Sequence, residues 1–278
     1  MLHIILPVHN RSPITARFLN CVRAQSFQNY CLVLVNDGCT DNTLDLAQQL
    51  LPSEQMVILA GNGKLWWAGA LQKAFEYLTA IQIPSNDDVL IINDDTYIDP
   101  DFLANGLALL AEHPRACIQA LGTDRRSGRV DRGVVVDLSR LRFRPAKRGE
   151  SVNCLSTRGL LMKASTFCRS GGFRPQWLPH YLSDYEFTIR LQRAGYLLLC
   201  EERFAAEMDD STSGLNSYPQ RDLREFLKLS FSNRAKFNPR HWSAFVILTC
   251  PAKSIPLHLA KIWFGFSRAL LHTLLSGQ

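Results

Sequence analysis

The chain has 278 residues, 46% hydrophobic and 20% charged, which suits a globular protein and excludes disordered, collagen-like and disulfide-stapled classes. Thirty-one Lys and Arg against 25 Asp and Glu leave a formal charge of +6, favouring anionic partners such as phosphate-rich ligands, membrane surfaces or nucleic acid. The eight cysteines form no C-x-x-C and no zinc-spaced set with histidine, so they read as buried, reduced thiols of a cytoplasmic protein.

Leu2–Leu6 is a short apolar strand stopped by Pro7, and no basic leader precedes it, so no signal peptide is expected. Ser12-Pro13 then opens an amphipathic helix to Ser26, with Ser as cap and Pro in the first turn. Cys31–Val35 is the second strand, followed by a helix capped by Asp41 or Asn42 and running to Leu51. Gln55–Ala60 is the third strand, and GNGKLWWAGALQKAFEYLTA reads as a loop and helix. Val89–Ile92 is the fourth strand, with the fully apolar, β-branched pattern of a strand buried on both faces. A helix over Asp101–His113 and a fifth strand at Cys117–Leu121 continue the alternation, which implies an α/β fold with a doubly wound, mostly parallel sheet.

Residues 115–148 differ, with ten Lys and Arg and little helical period. VDRGVVVDLSRLRFR reads as a hairpin and PAKRGE as a loop; the basic stretch is either a solvated surface or a contact for an anionic substrate or lipid headgroup. CLSTRGLLMKASTFCRSGGF reads as a strand and short helix ended by Gly171-Gly172, a further helix covers His180–Ala194 before Gly195, and Tyr196–Cys200 is another strand. The tail helix Leu257–Leu275 carries His258, Lys261, Gly265, Arg268 and His272 as a polar stripe among Trp263, Phe264 and Phe266. Such a helix lies in a membrane interface, or docks on the catalytic domain or a second copy of the chain. No stretch of ~18 apolar residues lacks charge, so no spanning helix is expected.

Three polar loops follow strands: His9-Asn10 the first, Asn36-Asp37-Gly38 the second, and Asn93-Asp94-Asp95 the fourth. Ligands of open α/β sheets bind beyond those strand ends. Two adjacent carboxylates repel unless something positive lies near, and a divalent cation with oxygen ligands is the usual solution. The alternative is that Asp94 caps a turn and Asp95 is merely exposed. Asp37 is suited to a nucleobase imide or a ribose hydroxyl, or else to an Asx turn. Trp66 and Trp67 stack on a sugar or base, or pack in the core. Helical spacing brings Tyr181, Asp184, Tyr185 and Thr188 together, and Asp184, placed in mid-helix against propensity, is either a general base or a solvated carboxylate. No G-x-G-x-x-G follows the first strand and no Walker A motif occurs, which disfavours dinucleotide dehydrogenases and P-loop NTPases.

LPVHNR, VNDGCTDNT, NDD and GGF…SDYEFTIRLQRAGY, in that order over Met1–Cys200, together resemble family 2 glycosyltransferases of the GT-A fold, and GNGKLWWAGA resembles their rhamnosyltransferase-like bacterial branch. The resemblance implies a Rossmann-like nucleotide-diphospho-sugar transferase fold with a C-terminal helical extension. It makes Asp95 the metal ligand, with Asn93 and Asp94 lining the donor. It places Asp37 at the nucleobase with Pro7, His9 and Asn10 beside it, and sets Asn62, Gly63, Lys64 and Trp67 along the donor. Asp184 corresponds to the catalytic base, and Gly171, Gly172 and Phe173, with His180, Tyr181 and Tyr185, to the acceptor side. Two departures stand out: Asn93 replaces the family's first Asp, and Ser183 the Glu before the base. The His that often completes the metal site is not evident, leaving Asp209 or Asp210 to substitute.

The implied activity is inverting, Mg²⁺- or Mn²⁺-dependent transfer from a nucleotide-diphosphate sugar to a saccharide or lipid-linked saccharide hydroxyl, in surface polysaccharide synthesis. The expected layout is a catalytic domain over 1–215, divided into a nucleotide-sugar half (1–122) and an acceptor half (123–215). A helical extension over 216–278 follows, making peripheral contact with the inner face of the plasma membrane through 257–275 or forming a homodimer. The rivals are a sugar-nucleotide nucleotidyltransferase, which needs a Gly-rich basic loop that PVHNRSP is not, and a non-catalytic nucleotide- or polysaccharide-binding protein. No nucleic-acid module is present.

Overall fold

A computed structural model of the chain describes residues 1–209 and 223–276. Strands β1 (Leu2–Val8), β2 (Tyr30–Asn36), β3 (Met56–Ala60) and β4 (Asp88–Ile91) form the parallel half of the sheet in the order β3-β2-β1-β4. Alternate side chains of β1 go to opposite layers. Ile4, Leu6 and Val8 pack with Phe18, Leu19 and Val22 of α1 (Ser12–Arg23), Ala47 of α2 (Thr43–Leu50) and Leu109 of α4 (Phe102–Glu112). Ile5 packs with Ala68 and Leu71 of α3 (Trp66–Ala80), Phe167 of α5 (Ala164–Arg169) and Phe187 of α6 (Ser183–Arg193). Burial on both faces explains the unbroken apolar runs. Pro7 does not stop β1, contrary to expectation: it pairs in register with Val35, while the ladder to β4 has already ended at Ile5–Ile91. Its missing N–H therefore breaks no ladder on that side.

The other half of the sheet is where local pattern was least informative. β10 (Leu160–Lys163) enters antiparallel between β4 and β6 (Ala116–Asp124). Its approach brings residues 156–159 to the carboxyl end of β4, where the Gly159 N–H donates to the Ile91 carbonyl at 3.0 Å. β11 (Leu197–Met208) runs parallel to β6 and is 12 residues long, far beyond the expected Tyr196–Cys200. An irregularity between Glu201 and Ala205 hides its continuation behind charged residues. The end of β11 pairs antiparallel with the two-residue β5 (Thr96–Tyr97), curling the sheet around the acidic run that precedes β5. β7 (Val130–Asp131) pairs antiparallel with the end of β6, and β8 (Val134–Asp137) with β9 (Arg142–Pro145) makes the expected hairpin.

Beyond the sheet lie α7 (Leu223–Ser230), α8 (Pro239–Thr249) and α9 (Ile255–Ser276). Phe245 of α8 is fully buried in a third apolar cluster with Val136, Leu178, Leu182 and Ile189, which fastens α8 to the hairpin and α6. The tail helix α9 has two faces. His258 and Thr273 are buried, and Phe266 packs on Phe226 and Phe231. His258 was expected in a polar stripe with Lys261 and Arg268; instead its Nε2 lies 3.2 Å from the Leu138 carbonyl, on the docked face. The outer face exposes Leu257, Phe264, Leu271 and Leu275, with Lys261 and Arg268 beside them. Among the described residues, no helix is long and apolar enough to cross a membrane.

Gly106 shows how closely α4 meets β11. A Cβ there would lie 2.6 and 2.8 Å from ring atoms of Phe204, which is buried and stacked on Phe102 at 4.5 Å. Gly106→Ala gains about 1 kcal/mol of helix propensity but overpacks the core, costing about 1–3 kcal/mol. The expected result is a lower urea midpoint at unchanged slope. A midpoint at or above wild type would mean that the ring yields freely.

Candidate functional site

The loops after β1, β2 and β3 are tied into one edge. The Asn10 side chain, at φ 50, accepts from the Thr40 N–H at 2.7 Å, and His9 Nδ1 lies 2.6 Å from the Asp37 carbonyl. The Asp37 carboxylate accepts from the N–H groups of Gly63 (2.8 Å), Leu65 (3.0 Å) and Trp66 (3.2 Å). Asp37 thus pins the GNGKLW loop in place, and its oxygens spend much of their accepting capacity on that loop. The approach is so close that a Cβ on Gly38 would lie 2.7 Å from the Gly63 nitrogen. Asn62, Gly63 and Lys64 project from this loop as exposed residues. Pro7 stays within β1.

Asp94 and Asp95 are 2% and 3% exposed, so the alternative of an exposed Asp95 does not hold. The positive group beside them is Arg11, which sequence reasoning passed over. Its two terminal nitrogens lie 3.0 Å from Asp94 Oδ1 and 3.2 Å from Asp95 Oδ2. Thr15 Oγ1 donates to Asp94 Oδ2 at 2.8 Å. Arg17 donates to the carbonyls of Asp94 (2.7 Å) and Thr96 (2.9 Å), and its guanidinium lies 3.5 Å over the Tyr97 ring. Burial pushes the Asp94 carboxyl above its ordinary value, against Arg11 and Thr15, which lower it. Asn93 Oδ1 is buried with no hydrogen-bond partner among the described residues.

The β5–β11 pairing carries Asp209 to Asp95, and the Asp209 N–H donates to the Asp95 carbonyl at 3.3 Å. Arg126 Nε lies 3.7 Å from Asp209 Oδ1. Asp210 is outside the described residues. Among those described, no group of three or more His, Cys, Asp or Glu forms a metal cage. The donor set nevertheless fits Mg²⁺ or Mn²⁺, which are commonly held by one or two carboxylates with substrate phosphates and water completing the shell.

Asp184 occupies the first turn of α6, not mid-helix, because Leu182 at φ 68 breaks the chain just before it. A carboxylate there suits the helix dipole, which removes the propensity argument made for it. Its Oδ1 accepts from the Tyr185 N–H at 2.9 Å. Burial pushes its pKa up to about 6; Asp131 also raises it, while backbone N–H groups and Arg158 lower it. Arg158 and Asp131 are further site residues that no local pattern marked. Thr188 turns inward, bonding the Leu155 N–H at 3.0 Å, and the Tyr185 ring stacks on Phe143 of β9 at 5.9 Å.

The remaining acceptor-side residues brace the site. Gly172, at φ 72, offers its carbonyl to Arg190 at 2.6 Å, and Arg190 pairs with Glu186 at 2.9 Å. Phe173 is buried and stacked on Phe187 at 4.3 Å, so it packs the core rather than presenting a face to a ligand. Trp67 likewise packs against the second core layer and donates to Thr157 Oγ1 at 2.9 Å. His180 meets Trp66 edge-on at 6.0 Å and Tyr181 at 4.6 Å; burial, with Arg234 and His241 nearby, lowers its pKa to about 4.

The profile of Glycosyl transferase family 2 matches residues 3–166. A PGL/p-HBAD biosynthesis glycosyltransferase of Mycobacterium bovis is 25% identical over 192 residues, covering 68% of this chain and 69% of the relative. Among solved structures, the mannosyltransferase PcManGT from Pyrobaculum calidifontis in complex with GDP-Man and Mn²⁺ is similar at TM-score 0.59 and 17% identity, over 99% of this chain and 79% of that one. S. aureus TarS 1-349 in complex with UDP-GlcNAc is similar at TM-score 0.60 and 15% identity, over 97% and 81% of the two chains. The structural likeness shows the GT-A fold.

The Arg11 bridge makes its own prediction. Arg11→Gln removes the guanidinium shared by two buried carboxylates and costs about 1–3 kcal/mol of stability, below the ~3–5 of a fully buried pair because Arg11 is itself 29% exposed and Thr15 still donates to Asp94. Mn²⁺ should raise the melting temperature of the variant more than that of wild type, since the ion supplies the missing charge. Equal shifts would show that the ion does not meet these carboxylates.

Proposed function

The chain belongs to glycosyl transferase family 2, and from that premise we propose that it is an inverting, metal-dependent enzyme moving a sugar from a nucleotide-diphosphate sugar to a saccharide or lipid-linked saccharide hydroxyl. The observation that carries this reading is Asp184: a carboxylate in the first turn of α6 whose burial pushes its pKa up to about 6, with Arg158 near enough to oppose the rise. Arg158 is in turn joined through Gly159 to the end of β4, from which Asn93, Asp94 and Asp95 follow. A base poised near working pH and an acidic strap at one sheet edge are what transfer to a hydroxyl requires.

In this reading the loops held by Asp37, with His9, Asn10, Asn62, Gly63 and Lys64, receive the nucleotide, and Asn93 and Asp94 line the donor. Asp95, with Asp209, holds a divalent cation, which when bound neutralises the departing diphosphate. Asp184 takes the proton of the acceptor hydroxyl onto its carboxylate as that oxygen attacks the anomeric carbon. The bond from that carbon to the diphosphate oxygen breaks on the opposite face, and the configuration inverts. Residues 1–215 act as the catalytic unit and 216–278 as its helical extension. The outer strip of α9, apolar with Lys261 and Arg268 alongside, suits peripheral contact with an anionic membrane surface. Wild type should co-sediment with anionic vesicles in a salt-sensitive manner and Phe264→Asp should not. Self-association in place of vesicle binding would assign the strip to a second copy.

Calorimetry with UDP, dTDP, GDP and CMP, each with Mn²⁺ and with EDTA, tests the donor site. One nucleotide should bind only with metal, and Asp95→Ala should lose that binding. Failure of every nucleotide to bind folded protein would sink the donor assignment. Asp184→Asn should bind the nucleotide as wild type does and lose ~10²–10⁴-fold in transfer. In wild type, kcat/KM should fall as pH drops through about 6, because the base is then protonated. The sign for stability is opposite to that of an ordinary paired carboxylate. A raised pKa stabilises the fold most below the unfolded value, and that contribution is lost as pH rises towards 6. Asp184→Asn should therefore be more stable than wild type at pH 7, with the difference shrinking towards pH 4.

A further inference from the structure

A groove of about 1260 Å³ lies between α3, the 175–179 turn and the helices α8 and α9; of the residues given a role above, Lys64 alone reaches its edge. Its walls carry three indoles, Trp66, Trp177 and Trp263, together with Lys73, Arg240 and His241. That volume exceeds the ~300–1,000 Å³ typical of pockets for single drug-sized ligands. Large aromatic rings are normally drawn into cores or interfaces, yet Trp177 is 55% and Trp263 41% exposed. Neither ring hangs on a loose segment. The Trp177 backbone N–H donates to the Arg174 carbonyl at 3.0 Å, closing the turn that bears the ring, and Trp263 Nε1 donates to Ser243 Oγ at 3.1 Å. His241 lines the groove, and its Nδ1, buried behind that wall, has no hydrogen-bond partner among the described residues.

The groove is joined to the catalytic edge. Trp66, at φ 57, is a bulky residue in the left-handed region, a strained conformation that points to function. It meets His180 edge-on, and the His180 carbonyl accepts from Ser183 Oγ at 2.7 Å, one residue before Asp184. Flat apolar faces interleaved with hydrogen-bonding groups of both charges and none, Lys73, Glu76 and His241 among them, match a carbohydrate, whose rings offer C–H faces to indoles and hydroxyls to the rim. A hydrocarbon tail would find no use for the charged and polar wall groups Lys73, Glu76 and His241.

We propose that this groove binds the sugars of an oligosaccharide acceptor that lie beyond the reacting residue, with Trp66 at its mouth and Trp177 and Trp263 as stacking platforms. The acceptor is then a chain of several sugars rather than a single one. The word acceptor rests on the transferase reading; the binding of glycan does not.

The test is calorimetric titration of the full chain with linear rhamnose-, mannose- and N-acetylglucosamine-based oligosaccharides of one to four residues. Affinity for one series should rise with length. Trp177→Ala should weaken the longest member about tenfold while leaving the monosaccharide unaffected, and Trp177→Phe should recover part of the loss. Affinity independent of length, equal binding by Trp177→Ala, or no binding by any series would overturn the proposal. So would a loss of nucleoside diphosphate binding in Trp177→Ala, which would make the groove part of the donor site. Nucleotide titration of the same preparation separates the two readings. Glycan bound by length without any nucleotide bound removes the transferase reading and leaves the groove; the reverse removes the groove alone.

Discussion

Two adjacent carboxylates buried in one strap must be neutralised, and much of the cleft is arranged around that requirement. Asp94 and Asp95 sit almost out of solvent because β5 and the end of β11 close over the turn that bears them. Helix α1 and the residue that precedes it answer with Arg11 across both carboxylates, Thr15 on Asp94 and Arg17 on the strap's own carbonyls. Removing charge from water is expensive and is offset only by close, well-directed partners. The guanidinium of Arg11 does in the free protein what a bound cation does in the proposed reaction cycle, so the strap keeps its shape before a donor arrives.

A second carboxylate, Asp37, acts through geometry. By holding the N–H groups of Gly63, Leu65 and Trp66 it fixes the start of α3, and with it the orientation of Trp66. Among the left-handed non-glycine residues, Asn10, Trp66 and Leu182 lie in three of the segments that border the cleft. Strain of this kind survives only where surrounding contacts over-determine it. The ties around Asp41, Asp37 and the His180–Ser183 turn supply those contacts.

The C-terminal helices pack on the elements that carry the proposed chemistry. α8 is buried through Phe245 against α6, the helix that carries Asp184, while α9 docks through His258 and Phe266 and leaves its other face open. One helical pair thus walls the tryptophan groove on one side and presents an apolar, cation-flanked strip on the other. An acceptor whose glycan fills the groove and whose carrier lies at a membrane would meet both surfaces.

Local sequence determined the alternation of apolar strands and amphipathic helices, the GT-A resemblance, and the polar residues closing the first, second and fourth strands. Those signals are short-range: burial on two faces writes an apolar run, and a ligand-facing strand end writes Asn and Asp. Tertiary structure alone decided the insertion of β10, the length of β11 through its irregularity, and the meeting of Asp95 with Asp209. It also decided that Arg11 neutralises the acidic strap, that Asp184 starts its helix, that Phe173 and Trp67 pack inward, and that His258 faces the protein. The reason is common to all of these. Periodicity reports which way a side chain points within its own element, but a partner 84 or 120 residues away is chosen by how the sheet curls and which helix face is covered.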